Sequence, residues 1–594
     1  MSLATQDRSS TVRLVQSSTL TRMLCVIVAV VAVAIGAVAL LAPSSGGANS
    51  SGSDPFGPPL PGSSGGGAGG PGAWVVAENQ KPGTTDWQVR GPINNGNIEG
   101  FADTTSINRG GSVRLFVSTD SRGYHVEAYR MGYYGGRQGR LVWRSPNLGG
   151  SRQAAAVVDS TTKMVEAKWH PSLTLSVDAT WPPGDYLIKL VADNGFQQFV
   201  PLTVRDDSSH APLLMMNAVT TWQAYNKWGG HSLYEGQSRP TAQFLPEQRS
   251  QVVSFDRPYV NDSGAGDFLG NELPLVTLVE SLGIDVTYAT NVDLHQRPEL
   301  LAQHKALLTL GHDEYWSLEM RQAVERARDG GTNIAFLGAN AVYRAIRLGP
   351  SDIGANRREI NYREARADPL SGKDNSRVTV SWRDPPLNRP ESALVGTYYD
   401  CNPVKGDLVV ADPSAWIYAG TGLAAGDRLK NVVGPEFDRY DKSAPQPPGP
   451  VQVLAHSPVR CHGKATFSDM TYYSTPSGAG VFATGTNWWI SRLGPACAPG
   501  DCVDAKVVQI TENVLKLFAA GPAGQSQPSV SNLSRLGSLN SSSTSTSRFS
   551  TTSPEDTEEQ FTTSSTTRRP STPDTAVITT VPFTVATPTS RRTP

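Results

Sequence analysis

The densest run of chemically capable side chains in this sequence is Gly311-His312-Asp313-Glu314-Tyr315-Trp316. In extended chain, residues two apart point the same way, so His312 and Glu314 can face one pocket while Asp313 turns aside. Two chemistries suit that pair: general acid/base transfer by His312 and Glu314, or an oxygen-rich metal site. Acidic residues ahead of a helix also have a purely structural use, because they stabilise its N-terminus through the dipole.

Other chemistries find less support. A literal G-x-S-x-G occurs at Gly62-Ser63-Ser64-Gly65-Gly66, but no strand precedes it and no helix follows, so a serine elbow is excluded there. Neither Cys401 nor Cys461 sits in a strand-turn-helix elbow, and no CxxC spacing marks a zinc site.

The elements around the run explain why it matters. Residues 305–310 form a short apolar run that reads as a buried strand, and residues 318–328 read as a helix capped by Ser317. A loop between a parallel strand and its helix lies at the carboxyl edge of the sheet, where open α/β sheets bind ligands. Further strands are predicted at 213–216, 284–288, 333–337 and 481–485, with helices at 273–282 and 507–518. Polar segments follow several of these strands. They carry Trp222, Tyr225, His231, Tyr234, Asn340 and Asn487, and parallel strands would bring them to one edge. The tryptophans and tyrosines there suit packing as well as chemistry. Trp222, His231, Asn340 and Asn487 are the candidate pocket residues.

The 594-residue chain is too long for one domain, and its net charge of -1 with no long basic run argues against nucleic-acid binding. Residues 23–42 are apolar and uncharged, long enough to cross a bilayer, with Arg8, Arg13 and Arg22 before them. The expected topology is a cytoplasmic segment at 1–22, a single-pass signal anchor at 23–42 and an extracytoplasmic remainder. The alternative is secretion after cleavage near Ala37-Val38-Ala39. In an oxidising compartment Cys401, Cys461, Cys497 and Cys502 suggest two disulfides, Cys497 with Cys502 as the local pair and Cys401 with Cys461.

Composition divides the remainder. Residues 43–72 are a Gly/Ser/Pro linker. Alternating strands at 112–118, 124–130, 140–143, 173–177, 186–191 and 197–204 predict an all-β, Ig-like sandwich over 73–206, with a tyrosine corner at Tyr186. Residues 207–520 are expected as an α/β domain, a mostly parallel sheet with flanking helices of amidotransferase or flavodoxin-like type. Residues 521–594 are Ser/Thr/Pro-rich and expected to be disordered.

Taken in order, Thr221-Trp222-Gln223-Ala224-Tyr225-Asn226, Gly230-His231-Ser232-Leu233-Tyr234, Gly311 to Trp316, Phe336-Leu337-Gly338-Ala339-Asn340 and Gly485-Thr486-Asn487-Trp488-Trp489 resemble the catalytic domain of the N,N-dimethylformamidase large (beta) subunit. The resemblance spans roughly residues 212–518. It implies one ferric iron (Fe3+) per chain, held by Tyr225, Tyr234 and Glu314, with His312 beside it. It implies hydrolysis of a C–N amide bond, in a small amide or a cell-envelope amide. No segment matching that enzyme's small partner subunit is evident. The rival expectation is a catalytically inactive cell-surface interaction protein built on the same scaffold.

Overall fold

Short β-branched and aliphatic runs build the centre of the molecule. The structure, a computed structural model, describes residues 72–238, 243–494 and 504–536. In the second half of the chain, β1 (Leu213–Asn217), β2 (Val286–Thr290), β3 (Ala306–Thr309), β4 (Asn333–Phe336), β5 (Gln452–Cys461), β6 (Lys464–Ser474) and β7 (Gly480–Ala483) form a seven-stranded sheet in the order β2-β1-β3-β4-β7-β6-β5. Strands β1 to β4 and β7 are fully buried, which explains why they read as continuous apolar runs rather than alternating ones. Around the sheet lie α1 (Val219–Tyr225), α2 (Leu273–Ser281), α3 (Leu318–Asp329) and α4 (Ala505–Ala520). Ser317 caps α3 by accepting a hydrogen bond from the Met320 N–H at 3.2 Å.

The expected mostly parallel, flavodoxin-like α/β class is not what forms. The pairings from β2 to β7 are parallel, but β7 pairs antiparallel with β6 and β6 antiparallel with β5, and these last two are the longest strands of the sheet. A second, mixed sheet joins Val252–Ser254, Arg358–Ile360, Arg344–Gly349 and Tyr315–Ser317. Hydrophobic period reports burial and does not report strand direction, so the antiparallel β7-β6-β5 end was invisible in it.

The first half of the described chain is two β-sheets sharing a core of Ile98, Val113, Leu115, Val126, Ile188 and Val200 among others. The Tyr186 hydroxyl donates to the Pro182 carbonyl at 2.8 Å, closing the corner its sequence context suggested. This β-unit is bonded to the second half. The buried Arg130 guanidinium holds Glu280 of α2 through two contacts of 2.5 and 3.0 Å, and the Trp228 indole donates to Glu99 at 2.8 Å. The glycine-rich turn after Arg130 sends Tyr134 into the same contact, its hydroxyl 3.0 Å from Arg130 Nη1.

Residues 521–536, expected to be disordered with the rest of the tail, are folded. Asn532 donates to the Val453 carbonyl at 2.8 Å and accepts from the Val453 N–H at 2.9 Å, pairing with edge strand β5 as a strand would. Residues 537–594 lie outside the described residues.

The membrane-anchored placement is also corrected. Among the described residues no helix is long and apolar enough to cross a membrane. The 23–42 segment on which an anchor and an extracytoplasmic location rested lies outside the described residues. Cys401 and Cys461 are joined in a disulfide, whereas Cys497 and Cys502 lie outside the described residues.

Candidate functional site

The loops leaving β1 and β3 meet. Helix α1 follows β1 and ends at Tyr225; the chain then turns through residues 226–231 and brings Tyr234 back over Tyr225, the two rings stacked at 4.2 Å. A single guanidinium braces that turn. Buried Arg257 donates to the carbonyls of Asn226 (2.8 Å), Trp228 (3.1 Å) and His231 (2.9 Å). Burial pushes Arg257 down to about 9, with Tyr259 and Glu359 acting the other way. Ser232 accepts from the Tyr234 N–H at 3.1 Å and fixes the second ring.

From the other side the loop after β3 delivers His312 and Glu314. The Thr221 hydroxyl of α1 accepts the Glu314 N–H at 3.0 Å. The Glu314 carbonyl accepts the N–H groups of Tyr343 (3.0 Å) and Arg344 (2.9 Å), and the Asp313 carbonyl accepts that of Val342 (3.0 Å). The clamping loop includes Asn340 at φ 56° and Val342 at φ 58°. That left-handed region is costly for a β-branched residue, so surrounding contacts must hold it.

Three oxygen-bearing side chains converge as a result. The Tyr225 hydroxyl lies 3.0 Å and the Tyr234 hydroxyl 2.6 Å from the same atom, Glu314 Oε2. Arg344 Nε stands 3.5 Å from Glu314 Oε1. Glu314 is buried at 1% exposure, and burial raises its pKa, with Glu436 acting in the same direction and His312, Arg344 and the Tyr234 hydroxyl pulling it back.

His312 Nε2 lies 3.5 Å from Glu314 Oε2 and 3.2 Å from Glu436 Oε2. Asn340 Nδ2 is 3.5 Å from the same nitrogen, while buried Asn340 Oδ1 has no hydrogen-bond partner among the described residues. Turning the amide over puts Oδ1 against His312 Nε2 and satisfies it, which suits a proton on Nε2.

The sequence-derived residues thus separate. Tyr225, Tyr234, His312, Glu314 and Asn340 come together. Asp313 turns away, accepting from Asn291 at 3.4 Å, and burial pushes its carboxyl up to about 7. Trp222 lies in the core, its indole N–H bonded to Glu272 at 3.0 Å. His231 is tied to the Gln248 carbonyl at 2.9 Å. Asn487 accepts the Ala339 N–H at 2.7 Å and so supports the Asn340 loop. Glu436 was missed, because no strand-loop motif surrounds it in the sequence.

Comparison with known proteins gives the family of the chain. Residues 125–502 match the family described as N,N-dimethylformamidase beta subunit-like, C-terminal. The chain belongs to that family. Among the relatives of this dimethylformamidase-like chain, the N,N-dimethylformamidase beta subunit of Alcaligenes sp is 27% identical over 358 residues, covering 52% of this chain and 44% of the relative. That of Paracoccus aminophilus is 26% identical over the same length and shares. The chain therefore spans less than half the length of these curated relatives. A solved structure of murine CEACAM1b, 12% identical, covers 20% of this chain and 61% of its own at a TM-score of 0.11, too low to bear on the fold of the family member described here.

Proposed function

We propose that the chain is a metal-dependent amide hydrolase that cleaves the C–N bond of a small amide. The observation carrying this reading is the convergence of two phenol oxygens on one buried carboxylate oxygen in a chain of this family. Tyrosinate and carboxylate are hard oxygen donors, and the set fits a hard trivalent cation such as ferric iron. Tyr225, Tyr234 and Glu314 would hold it. Among the described residues the one His/Cys/carboxylate grouping with ligand spacing is Cys401, Cys461 and His462. Its two sulfurs are already spent in a disulfide. When bound, such an ion supplies Lewis acidity toward a carbonyl oxygen and lowers the pKa of water.

The remaining work falls to the chain itself. The Glu436–His312 pair, beside Glu314, is placed to take a proton from water at the Glu436 carboxylate and return one to the departing nitrogen from His312 Nε2. Water oxygen bonds to the carbonyl carbon. The C–N bond breaks with its electron pair on nitrogen, which takes the proton, and a carboxylate and an amine leave. Buried Arg344 holds Glu314 from the far oxygen and fixes its orientation.

The test is Glu314→Ala in the full-length chain. It should lose both bound iron and hydrolysis of simple formamides. Retention of either shows that Glu314 is not a ligand.

A further inference from the structure

The hairpin of β5 and β6 builds a second cavity. In it His456 pairs with Asp469, Pro458 with Phe467 and Arg460 with Ala465. Residues two apart on a strand, and residues directly opposite across a pair, share a face. One face therefore carries all six of these side chains. All but Asp469 line a cavity of about 920 Å³, within the size range of small-molecule sites. None of Tyr225, Tyr234, His312, Glu314 or Glu436 belongs to its lining.

His456 is held ready on that wall. The residue is 8% exposed. Its Nδ1 lies 2.6 Å from Asp469 Oδ1, and Asp469 Oδ2 accepts the Tyr440 N–H at 2.8 Å. Its ring stacks on Phe467 at 3.9 Å. These contacts fix the ring and leave Nε2, which is buried and has no hydrogen-bond partner among the described residues. A buried polar atom left unpaired is costly, and a ligand atom at Nε2 removes the cost.

The charge of the lining is one-sided. Lys405, Arg460 and Arg535 line the cavity and, among the described residues, no carboxylate does. Arg460 donates to the Gly463 carbonyl at 2.7 Å, and neither it nor Lys405 is ion-paired among the described residues. The acids behind the wall are spent there. Asp469 serves His456 and Tyr440, and Asp400 accepts the Thr466 hydroxyl at 2.5 Å and pairs with Arg439 at 3.1 Å. Val409, Pro458, Val459 and Phe467 make the rest of the wall apolar. An anionic head on an apolar body matches both parts. With Nδ1–H given to Asp469, the imidazolium form of His456 donates from Nε2 to an anionic oxygen.

We propose that this cavity is a second ligand site, for an organic carboxylate with an aromatic or aliphatic body. The carboxylate sits at His456 Nε2 in the field of Lys405 and Arg460, and the body lies against Phe467 and Val459. The site goes beyond the hydrolase reading and shares no residue with it.

Equilibrium binding to the full-length chain tests it, with naphthalene-2-carboxylate and its neutral counterpart naphthalene-2-methanol as probes. The acid should bind at least about tenfold more tightly, a difference worth ~1.4 kcal/mol, and the preference should shrink as salt is raised. His456→Phe keeps a ring against Phe467 but has no nitrogen, and should bring the acid down to the affinity of the neutral probe. Lys405 and Arg460 are exposed, so Lys405→Met combined with Arg460→Met should leave the fold intact. That pair of changes should cut the preference by about threefold or more and leave the neutral probe's affinity unchanged. Equal affinity for the two probes in the wild-type chain, including no measurable binding of either, overturns the site. So does a preference that survives the Lys405→Met, Arg460→Met combination in a protein whose melting curve matches the wild type. Neither probe has an amide bond, so the result stands apart from the hydrolase reading and its failure.

Discussion

His312 Nε2 lies 3.2 Å from Glu436 Oε2, joining the loop after β3 to a carboxylate contributed far along the chain. The pair sits beside Glu314 without belonging to the phenol-carboxylate cluster. Glu436→Gln should therefore lower kcat for a simple formamide by about 10²–10⁴-fold, the usual share of a general acid/base group, and leave iron content unchanged. Steady-state kinetics with metal analysis on the same sample checks this. Iron lost with turnover intact would reverse the assignment.

Arg130 and Glu280 tie the β-unit to α2 with both side chains at 0% exposure. Glu280 also accepts from the Tyr288 hydroxyl at 2.5 Å and from Asn79 at 3.0 Å. Arg130→Met leaves that carboxylate buried without its counter-ion and should cost about 3–5 kcal/mol. Denaturant unfolding reads the loss. A cost below ~1 kcal/mol would mean that the β-unit does not depend on this contact.

Glu359 pairs with Val253 and Leu348 across its strands and is fully buried, with no hydrogen bond to either carboxyl oxygen among the described residues. Burial is the main cause of its raised pKa, Glu314 adds to it and Arg257 opposes it. An acid whose folded pKa is raised gives its full stability below the unfolded value, about 4.3, and loses it as pH rises toward the folded value. Glu359→Gln removes that titration. Melting temperatures of variant and wild type should agree near pH 4, and the variant should be the more stable near pH 8, by about 1–3 kcal/mol. A constant gap across that range contradicts the account.

Much of the site was legible because it lies at strand ends. The apolar runs of β1, β3, β4 and β7 stood out as buried strands, and the polar residues just beyond β1, β3 and β4 did meet. What stayed hidden has physical causes. Glu436 and Arg257 act through long-range contacts that leave no local period. Trp222 stands in a motif but spends its indole on Glu272 inside the core. The β5–β6 hairpin reads like any pair of strands, so its direction in the sheet had no signal. In the serine- and proline-rich stretch after Ala520, one amide, Asn532, completes an edge strand, a contact that composition cannot show.

The central claim is that Tyr225 and Tyr234 join Glu314 around one ferric ion. The visible spectrum of the full-length chain after expression in iron-rich medium tests it most directly, because tyrosinate bound to ferric iron absorbs visible light. The account predicts a coloured protein with about one iron per chain, weakened colour in Tyr234→Phe and none in the Tyr225→Phe, Tyr234→Phe double variant. A colourless, iron-free wild-type protein, or colour that survives loss of both phenols, would contradict it.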